Sequence, residues 1–478
     1  MCSKNIIATA ILAMIISTNL GAQVWKFTRF MDTPYPKNTG TSGGDMAAAD
    51  INGDGKLDLV LSGSGGRGPA LLVYLFTPGK YVLKENSGLP ALDGGSRIVL
   101  ADFDGDGKID AALAGKTSAD YKTALIKVYR GDGAGNFALM DDPGKLLPSE
   151  DFEDKPGSWA PTDKDILGIS DSAGFSSGFF EAGDLDKDGD LDLVFAGGKG
   201  FESGNDPSGQ MIQRDWETAG SFLNNGLGIF SYVATYPQTG DISSSGLTKA
   251  NRCAGFVADL NGDGILDAAL SGQSNRGPLA NPGIPETQRN PLPFAETYRG
   301  DGIGSFVKFG TSGLPALIDG GLWLGDVNSD GLVDAGVLGN TGSPGDPNGG
   351  RVLGIWLGKG DGSFAKDESQ TQLRAVMSGG GAFGDLDGDG DLDMVVSGND
   401  NDRSLRIYEN QKGLFVPKYL DKAKDGVGTN TANGNGSSDA SNECDVIISD
   451  LDGDGDQDVV VNGRGGSLQL LVFMNKLK

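Results

Sequence analysis

The sequence contains no histidine. That absence excludes Ser-His-Asp and Cys-His catalysis, histidine-ligated zinc and imidazole acid–base chemistry. An enzyme built on this chain would have to work with carboxylates, tyrosine, lysine or arginine. Cysteine is scarce, with three in 478 residues, so no disulfide framework holds the chain together. Long apolar runs are missing too. The most prominent, Ile6–Ile16, falls short of the roughly 20 residues that span a bilayer. Basic residues number 39 against 65 acidic, for a net charge of −26. Such a chain lacks the basic surface that nucleic acid requires.

The apolar run has a place of its own. Lys4 precedes it and Leu20-Gly21-Ala22 follows, just before Gln23. Residues 1–22 therefore read as a secretory signal peptide, and a membrane anchor is the weaker alternative. We expect residues 23–478 to form one domain without a transmembrane segment, secreted or held at the cell surface.

What the sequence has in abundance is an acidic nine-residue unit, typified by Asp385-Leu386-Asp387-Gly388-Asp389-Gly390-Asp391-Leu392-Asp393, in seven copies. Position 1 is Asp50, Asp102, Asp184, Asp259, Asp326, Asp385 and Asp450. Position 3 is Asn52, Asp104, Asp186, Asn261, Asn328, Asp387 and Asp452. Position 5 is Asp54, Asp106, Asp188, Asp263, Asp330, Asp389 and Asp454. Position 9 is Asp58, Asp110, Asp192, Asp267, Asp334, Asp393 and Asp458. Position 6 is always glycine. Position 7 is free: Lys56, Lys108, Asp190, Ile265, Leu332, Asp391 and Asp456.

A calcium loop explains both the constancy and the freedom. Ca²⁺ takes six to eight hard oxygens, from side chains at positions 1, 3 and 5 and from a backbone carbonyl at 7. Any residue can supply that carbonyl. Glycine at 6 permits the sharp turn around the ion, and Asp at 9 closes the site. Without a cation, carboxylates this dense would repel one another. Mg²⁺ fits less well, because it demands stricter octahedral geometry. We expect up to seven Ca²⁺, enough to offset about half of the net charge.

Each loop is followed by a short β-rich run such as Leu193-Val194-Phe195 or Val459-Val460-Val461, and position 2 is apolar throughout. A strand thus enters the loop and a strand leaves it. A third strand and a glycine turn into a fourth come next, as in Ile355–Phe364. Four strands per unit, repeated seven times, predict an all-β, seven-bladed β-propeller. The last unit runs out after its third strand. The alternating segment Val24–Phe30 is left over at the other end, and we expect it to complete the last blade.

These loops, with units such as Phe383-Gly384-Asp385-Leu386-Asp387, resemble the FG-GAP/VCBS repeat family, which includes the propeller of integrin α chains. The resemblance spans roughly residues 24–478 and implies the fold and calcium, and says little about the ligand. Integrin-like sites occupy only some blades, whereas all seven copies qualify here. Cys253 and Cys444 lie six residues before a loop, where the other copies have Gly44, Ser96, Gly178, Gly320 and Gly379. Small residues fit a crowded axis, so two buried thiols are expected rather than a bridge.

Strand order places the calcium loops and glycine turns on one face. Longer inserts (141–176, 199–219, 273–293, 340–350 and 418–445) fall on the other, where recognition is usual. Candidate ligand contacts there are Trp159, Trp216, Arg214, Arg276 and Arg289, since aromatic plates stack on sugars and guanidinium forks grip carboxylates. Trp323 and Trp356 lie on predicted strands and are expected in the core. Arg130-Gly131-Asp132 and Arg299-Gly300-Asp301 sit in the glycine turns and read as turn chemistry. The functional expectation is a monomeric, non-catalytic module for a glycan or extracellular protein. The alternatives are a structural partner in a surface complex and a polysaccharide lyase or hydrolase. Spare acids for catalysis would be Glu181, Glu202, Glu217 and Glu296.

Overall fold

The computed structural model describes residues 27–29, 40–117, 124–143, 176–205, 211–235, 242–274, 292–342, 350–399, 403–420, 442–464 and 468–477. Among them there is no α-helix, and hence no helix long and apolar enough to cross a membrane. They form seven four-stranded antiparallel sheets, the blades of a β-propeller. The first strand in the chain, β1 (Phe27–Arg29), belongs to the last blade. Blade 1 is β2 (Met46–Ala49), β3 (Asp58–Gly65), β4 (Gly68–Thr77) and β5 (Lys80–Leu83). Blade 2 is β6 (Arg97–Ala101), β7 (Asp110–Lys116), β8 (Ala124–Gly131) and β9 (Phe137–Asp141). Blade 3 is β10 (Ser176–Gly183), β11 (Asp192–Asn205), β12 (Met211–Asn224) and β13 (Phe230–Tyr232). Blade 4 is β14 (Asn251–Ala258), β15 (Asp267–Ser274), β16 (Leu292–Gly300) and β17 (Phe306–Lys308). Blade 5 is β18 (Asp319–Gly325), β19 (Asp334–Asn340), β20 (Arg351–Gly358) and β21 (Phe364–Lys366). Blade 6 is β22 (Met377–Gly384), β23 (Asp393–Asn399), β24 (Arg403–Gln411) and β25 (Leu414–Lys418). Blade 7 is β26 (Asn442–Ser449), β27 (Asp458–Arg464), β28 (Leu468–Asn475) and β1.

The first strand of each blade touches that of the next, and β26 returns to β2, so the ring closes around an axis. Second strands are covered on both faces. Every residue of β7 is buried, which is why it reads as a run of small and apolar residues instead of alternating. The hydrophobic core is divided among the seams. One cluster joins Val99, Phe103 and Ile126 of blade 2 to Phe180, Phe195 and Phe222 of blade 3. Another joins blades 6 and 7 and takes in Phe27.

Closure by the N-terminal strand follows the register of the other blades. In six blades an aromatic near the start of the fourth strand pairs with a residue late in the third: Tyr81 with Phe76, Phe137 with Gly131, Phe230 with Asn224, Phe306 with Gly300, Phe364 with Gly358 and Phe415 with Asn410. In blade 7, Phe27 pairs with Asn475 in the same way and is 2% exposed.

Two expectations are adjusted. The insert 199–219 is not an irregular loop. Its described part belongs to β11 and β12, which extend as a two-stranded ribbon to the pair Asn205–Met211. Trp356 is core, at 5% exposure, but Trp323 is only half-buried against Phe383, with ring centroids 5.8 Å apart. Cys253 and Cys444 are free thiols, Cys253 buried as expected but Cys444 only half-buried, and Cys253 Sγ donates to the Ala196 carbonyl at 2.9 Å.

Candidate metal centres

Each acidic loop is a ladder of carboxylates capping backbone N–H groups. In the first, Asp50 Oδ1 and Asn52 Oδ1 both accept from the Asp54 N–H at 3.0 Å. Asp50 Oδ2 accepts from Gly55 at 2.8 Å, and Asp54 Oδ1 accepts from Lys56 at 2.9 Å. The same pattern recurs around Asp102, Asp259 and Asp326. Side chains of short acidic residues thus wind the loop through local hydrogen bonds. The glycine turns stand beside the loops, with Gly302 near Ile265 and Gly360 near Leu332, so the two kinds of connection share one face.

Position 9 carries a role that sequence spacing did not reveal. One oxygen of its carboxylate accepts from the position 2 N–H of its own loop. The other accepts from the third-strand residue that pairs with the recurring aromatic. For Asp393 these donors are Leu386 at 2.9 Å and Asn410 at 2.8 Å, and for Asp458 they are Leu451 at 3.0 Å and Asn475 at 2.7 Å. All seven copies follow this rule. Asp at 9, at the start of the second strand, therefore ties its loop to the third strand of the blade.

Where the third-strand donor is Asn, its amide reaches the preceding blade. Asn224 Nδ2 donates to the Phe103 carbonyl, Asn410 to Val327 and Asn475 to Leu386, at 2.7–2.8 Å. Where it is glycine, a Cβ would strike the position 8 carbonyl, as Gly358 would strike Val333. Position 2 is apolar because its side chain fills a seam, while its carbonyl is open to the next blade.

The residues fit a divalent cation. In four loops, carboxylate oxygens from positions 1, 3 and 9 lie within 4.8 Å of one another: Asp102, Asp104 and Asp110; Asp184, Asp186 and Asp192; Asp385, Asp387 and Asp393; Asp450, Asp452 and Asp458. Asp184 Oδ1 and Asp452 Oδ1 are buried with no hydrogen-bond partner. Burial pushes the position 9 carboxyls up, to about 6 for Asp58, Asp110, Asp267 and Asp334, about 7 for Asp192 and Asp458, and about 8 for Asp393. Two backbone donors oppose this, and neighbouring loop carboxylates add to it. Buried, crowded acids that prefer their neutral form are what a cation would relieve. The loops with Asn at position 3 differ. Asn261 and Asn328 donate to Asp263 and Asp330 at 3.0 Å, covering an acidic oxygen with an amide.

The opposite face holds an axial cavity of about 440 Å³, lined by Gly44, Arg97, Arg252, Cys253, Asp319 and Ser378 among others. Arg252 and Ser378 adopt left-handed backbone conformations, with φ of 46° and 48°, where their strands bulge. Along the channel, Asp445, Asp45 and Arg97 form a row on three adjacent first strands. Asp445 Oδ2 accepts from Met46 at 3.2 Å, and Asp45 Oδ2 accepts from Ile98 at 2.7 Å, each clipping its blade to the next. The two carboxyls also share a hydrogen bond. Burial raises both, Asp445 to about 7, while Arg97 pulls the other way. Glu181, raised by burial to about 8, accepts from Val257 at 3.0 Å.

Of the other acids noted as spare, two are committed, and the side chain of Glu202 lies outside the described residues. Glu217 accepts from Ser274 at 3.3 Å, and Glu296 is held by Thr248, Tyr298 and Lys308. Arg130 is likewise bound, to Asp104, and Asp132 caps its own turn through Ala134 and Asn136. Of the ligand candidates, Trp159, Arg276 and Arg289 lie outside the described residues. Trp216 and Arg214 fall on β12, opposite Gly200 and Glu202, rather than in a loop.

A closed ring of seven blades, with an acidic strand–loop–strand corner in each, defines a class of repeat propeller. The model described as FG-GAP-like repeat matches residues 50–113, 326–396 and 385–461, and the seven-bladed ring matches the architecture of an FG-GAP-repeat propeller. No curated protein matches the sequence. Among solved structures, an Agrocybe aegerita lectin for non-reducing terminal N-acetylglucosamine is similar at 19% identity, covering 80% of each chain with a TM-score of 0.45. A Bacillus licheniformis rhamnogalacturonan lyase is 14% identical, over 94% of this chain and 75% of that one, with a TM-score of 0.42. The V. cholerae biofilm matrix protein Bap1 is 12% identical, over 94% and 91%, at 0.39. Likenesses this distant do not bear on ligand or activity.

Proposed function

We propose that this protein is a secreted or surface-exposed binding module, stabilised by calcium, that recognises a glycan or an extracellular protein on the face opposite its acidic loops. Residues 1–22 serve as the signal and 23–478 as a single domain. Calcium is held by the side chains at positions 1, 3, 5 and 9 with the position 7 carbonyl. The observation that carries this reading is the division of labour between faces. One rim repeats an acidic corner in every blade, four of them gathering three carboxylates, while the other has the β11–β12 ribbon, the strained bulges and the axial cavity. Binding divalent ions at the corners stiffens the scaffold from which the varied face is presented.

Catalysis on a polysaccharide is the second reading, and the channel acids are what favour it. A hydrolase needs two carboxyls about 5–10 Å apart with room for substrate between them. Asp45 and Asp445 instead bond directly to each other and to backbone N–H groups, a structural use. The test is a glycan-array and extracellular-protein screen of the intact protein in calcium, repeated in chelator. Calcium-dependent binding without new reducing ends or unsaturated products supports the module. Product release from a polysaccharide overturns it.

A further inference from the structure

The acidic corners of blades 6 and 7 are nearly the same sequence. Residues 385–393 and 450–458 differ at one position, Leu392 against Gln457, and each corner carries five aspartates. Whatever distinguishes the two therefore comes from what is packed around them. Repulsion within such a corner has to be offset by positive charge, from a metal or from the chain itself.

Blade 7 draws that charge from the chain. Lys476, the residue after β28, places its ammonium 3.1 Å from Asp454 Oδ2 and 3.4 Å from Asp452 Oδ2. Lys56, at position 7 of the blade 1 corner, reaches across the seam and donates to the Asp452 carbonyl. The neighbouring Leu57 N–H donates to the Leu451 carbonyl at 2.9 Å, which fixes the backbone of that lysine against the corner. The Leu477 N–H completes the set, on Asp456 Oδ2 at 2.8 Å. Asp452 Oδ1, which is buried, has no hydrogen-bond partner. The two lysines thus offset the charge of the corner without closing it to a metal.

Register shows why blade 6 differs. Lys476 follows Asn475, the third-strand residue that donates to the position 9 aspartate. In blade 6 that residue is Asn410, and its neighbours are Glu409 and Gln411, bonded to each other at 3.2 Å. An acid and an amide stand where blade 7 has its lysine. Among the described residues, no basic side chain pairs with an aspartate of 385–393. Blade 2 uses the step before the donor. Arg130 precedes Gly131 and pairs through Nε with Asp104, whose side chain is only 4% exposed. A single exposed ion pair shifts an equilibrium by about fivefold at most, so the grouping of two lysines and a backbone N–H on one corner matters more than any one of them. We propose that Lys476 and Lys56 in blade 7, and Arg130 in blade 2, are built-in cations that hold those corners in shape at low calcium, while the blade 6 corner holds only with an ion bound. This rests on the calcium reading above and adds its regulation. Chelation loosens the ring at blade 6 and spares the seam where the first and last blades meet.

The experiment is hydrogen exchange of the full chain, read by mass spectrometry on peptides covering each corner, in saturating calcium and in chelator. In both corners the loop N–H groups bond to the loop's own carboxylates, so lost protection reports local opening directly. In chelator the wild type should lose protection at 385–393 and keep most of it at 450–458 and 102–110. Lys476→Gln should lower protection at 450–458 in chelator about fivefold, with no change in calcium and none at 385–393. Adding Lys56→Gln should bring the blade 7 corner down to the level of blade 6, while Lys476→Arg should behave as wild type. Arg130→Gln should act on 102–110 alone. Gln411→Lys, which puts an ammonium at the matching step of blade 6, should protect 385–393 in chelator. Equal loss at 385–393 and 450–458 in the wild type overturns the built-in cations, and so does a Lys56→Gln, Lys476→Gln double variant as well protected in chelator as the wild type. Exchange untouched by chelator at every corner overturns the calcium reading itself, and this inference with it.

Discussion

The residue on which the blade depends is the aspartate at position 9. Its two oxygens satisfy one N–H in the loop and one at the end of the third strand, both out of water. Asp393→Ala would leave the Leu386 and Asn410 N–H groups without acceptors, at a cost of roughly 2–5 kcal/mol. Asp391→Asn, at the position that offers only a carbonyl, should cost less than about 0.5 kcal/mol. Urea denaturation in saturating calcium distinguishes the two. A second residue-scale prediction concerns the channel. The Asp445 carboxyl is raised to about 7, chiefly by burial and then by Asp45, with Arg97 opposing and Glu181 farther along. A raised carboxyl stabilises the fold while protonated. Its contribution is complete below the ordinary carboxylate range and is lost as pH rises through about 7. In saturating calcium the wild type should lose melting temperature between about pH 4 and about 7, and Asp445→Asn, which never ionises, should lose less. Parallel curves for the two proteins would refute this.

At the scale of the strand, the test is how the ring closes. Phe27 occupies the place that Phe137, Phe230, Phe306, Phe364 and Phe415 hold in other blades, and it sits in the cluster between blades 6 and 7. Phe27→Ala should cost about 3–5 kcal/mol, while Thr28→Ala, on the exposed side, should stay within about 0.5 kcal/mol. A small effect at Phe27 would mean that β1 is dispensable. The existence of this strand was legible, because an alternating segment was left over at one end and a blade was short at the other. A second device was legible but passed over. The tripeptide Ser-Gly-Leu recurs at 87–89, 245–247 and 312–314. Its serine carbonyl accepts from Phe137, Phe306 and Phe364, and its glycine has positive φ against the carbonyl of the same aromatic. Repetition outside the acidic loop was the available signal. The β11–β12 ribbon was not legible, since Gly-Lys-Gly-Phe-Glu-Ser-Gly carries the composition of a loop and is extended only because a partner strand lies beside it.

For the molecule as a whole, calcium should act as a set of corner clamps. Each independent site adds RT ln(1 + [Ca]/Kd), about 2.7 kcal/mol at a hundredfold excess over Kd. Chelation should therefore lower the melting temperature, and a scan with and without chelator that superimposes would remove calcium from the account. The sites should fall into two classes. The loops starting at Asp102, Asp184, Asp385 and Asp450 bring three carboxylates together. Those starting at Asp50, Asp259 and Asp326 have Asn at position 3 and should fill last in a calcium titration.

By itself the sequence determined the blade count, the acidic corners and the closure, because each of those lies in spacing within a repeat. A nine-residue loop folds on its own hydrogen bonds, and a strand declares itself by its neighbours in the chain. Only the tertiary structure decided which acids are committed to distant partners. Met46 meets Asp445 across 399 residues, and Thr41 meets Asn462 across 421. Such contacts arise when the ring shuts and brings its first and last blades side by side. The same holds on blade 6, where Gln370 and Arg374 of the connecting segment donate to the Gly413 carbonyl and the Tyr408 hydroxyl. Nothing in the local order of residues specifies that encounter.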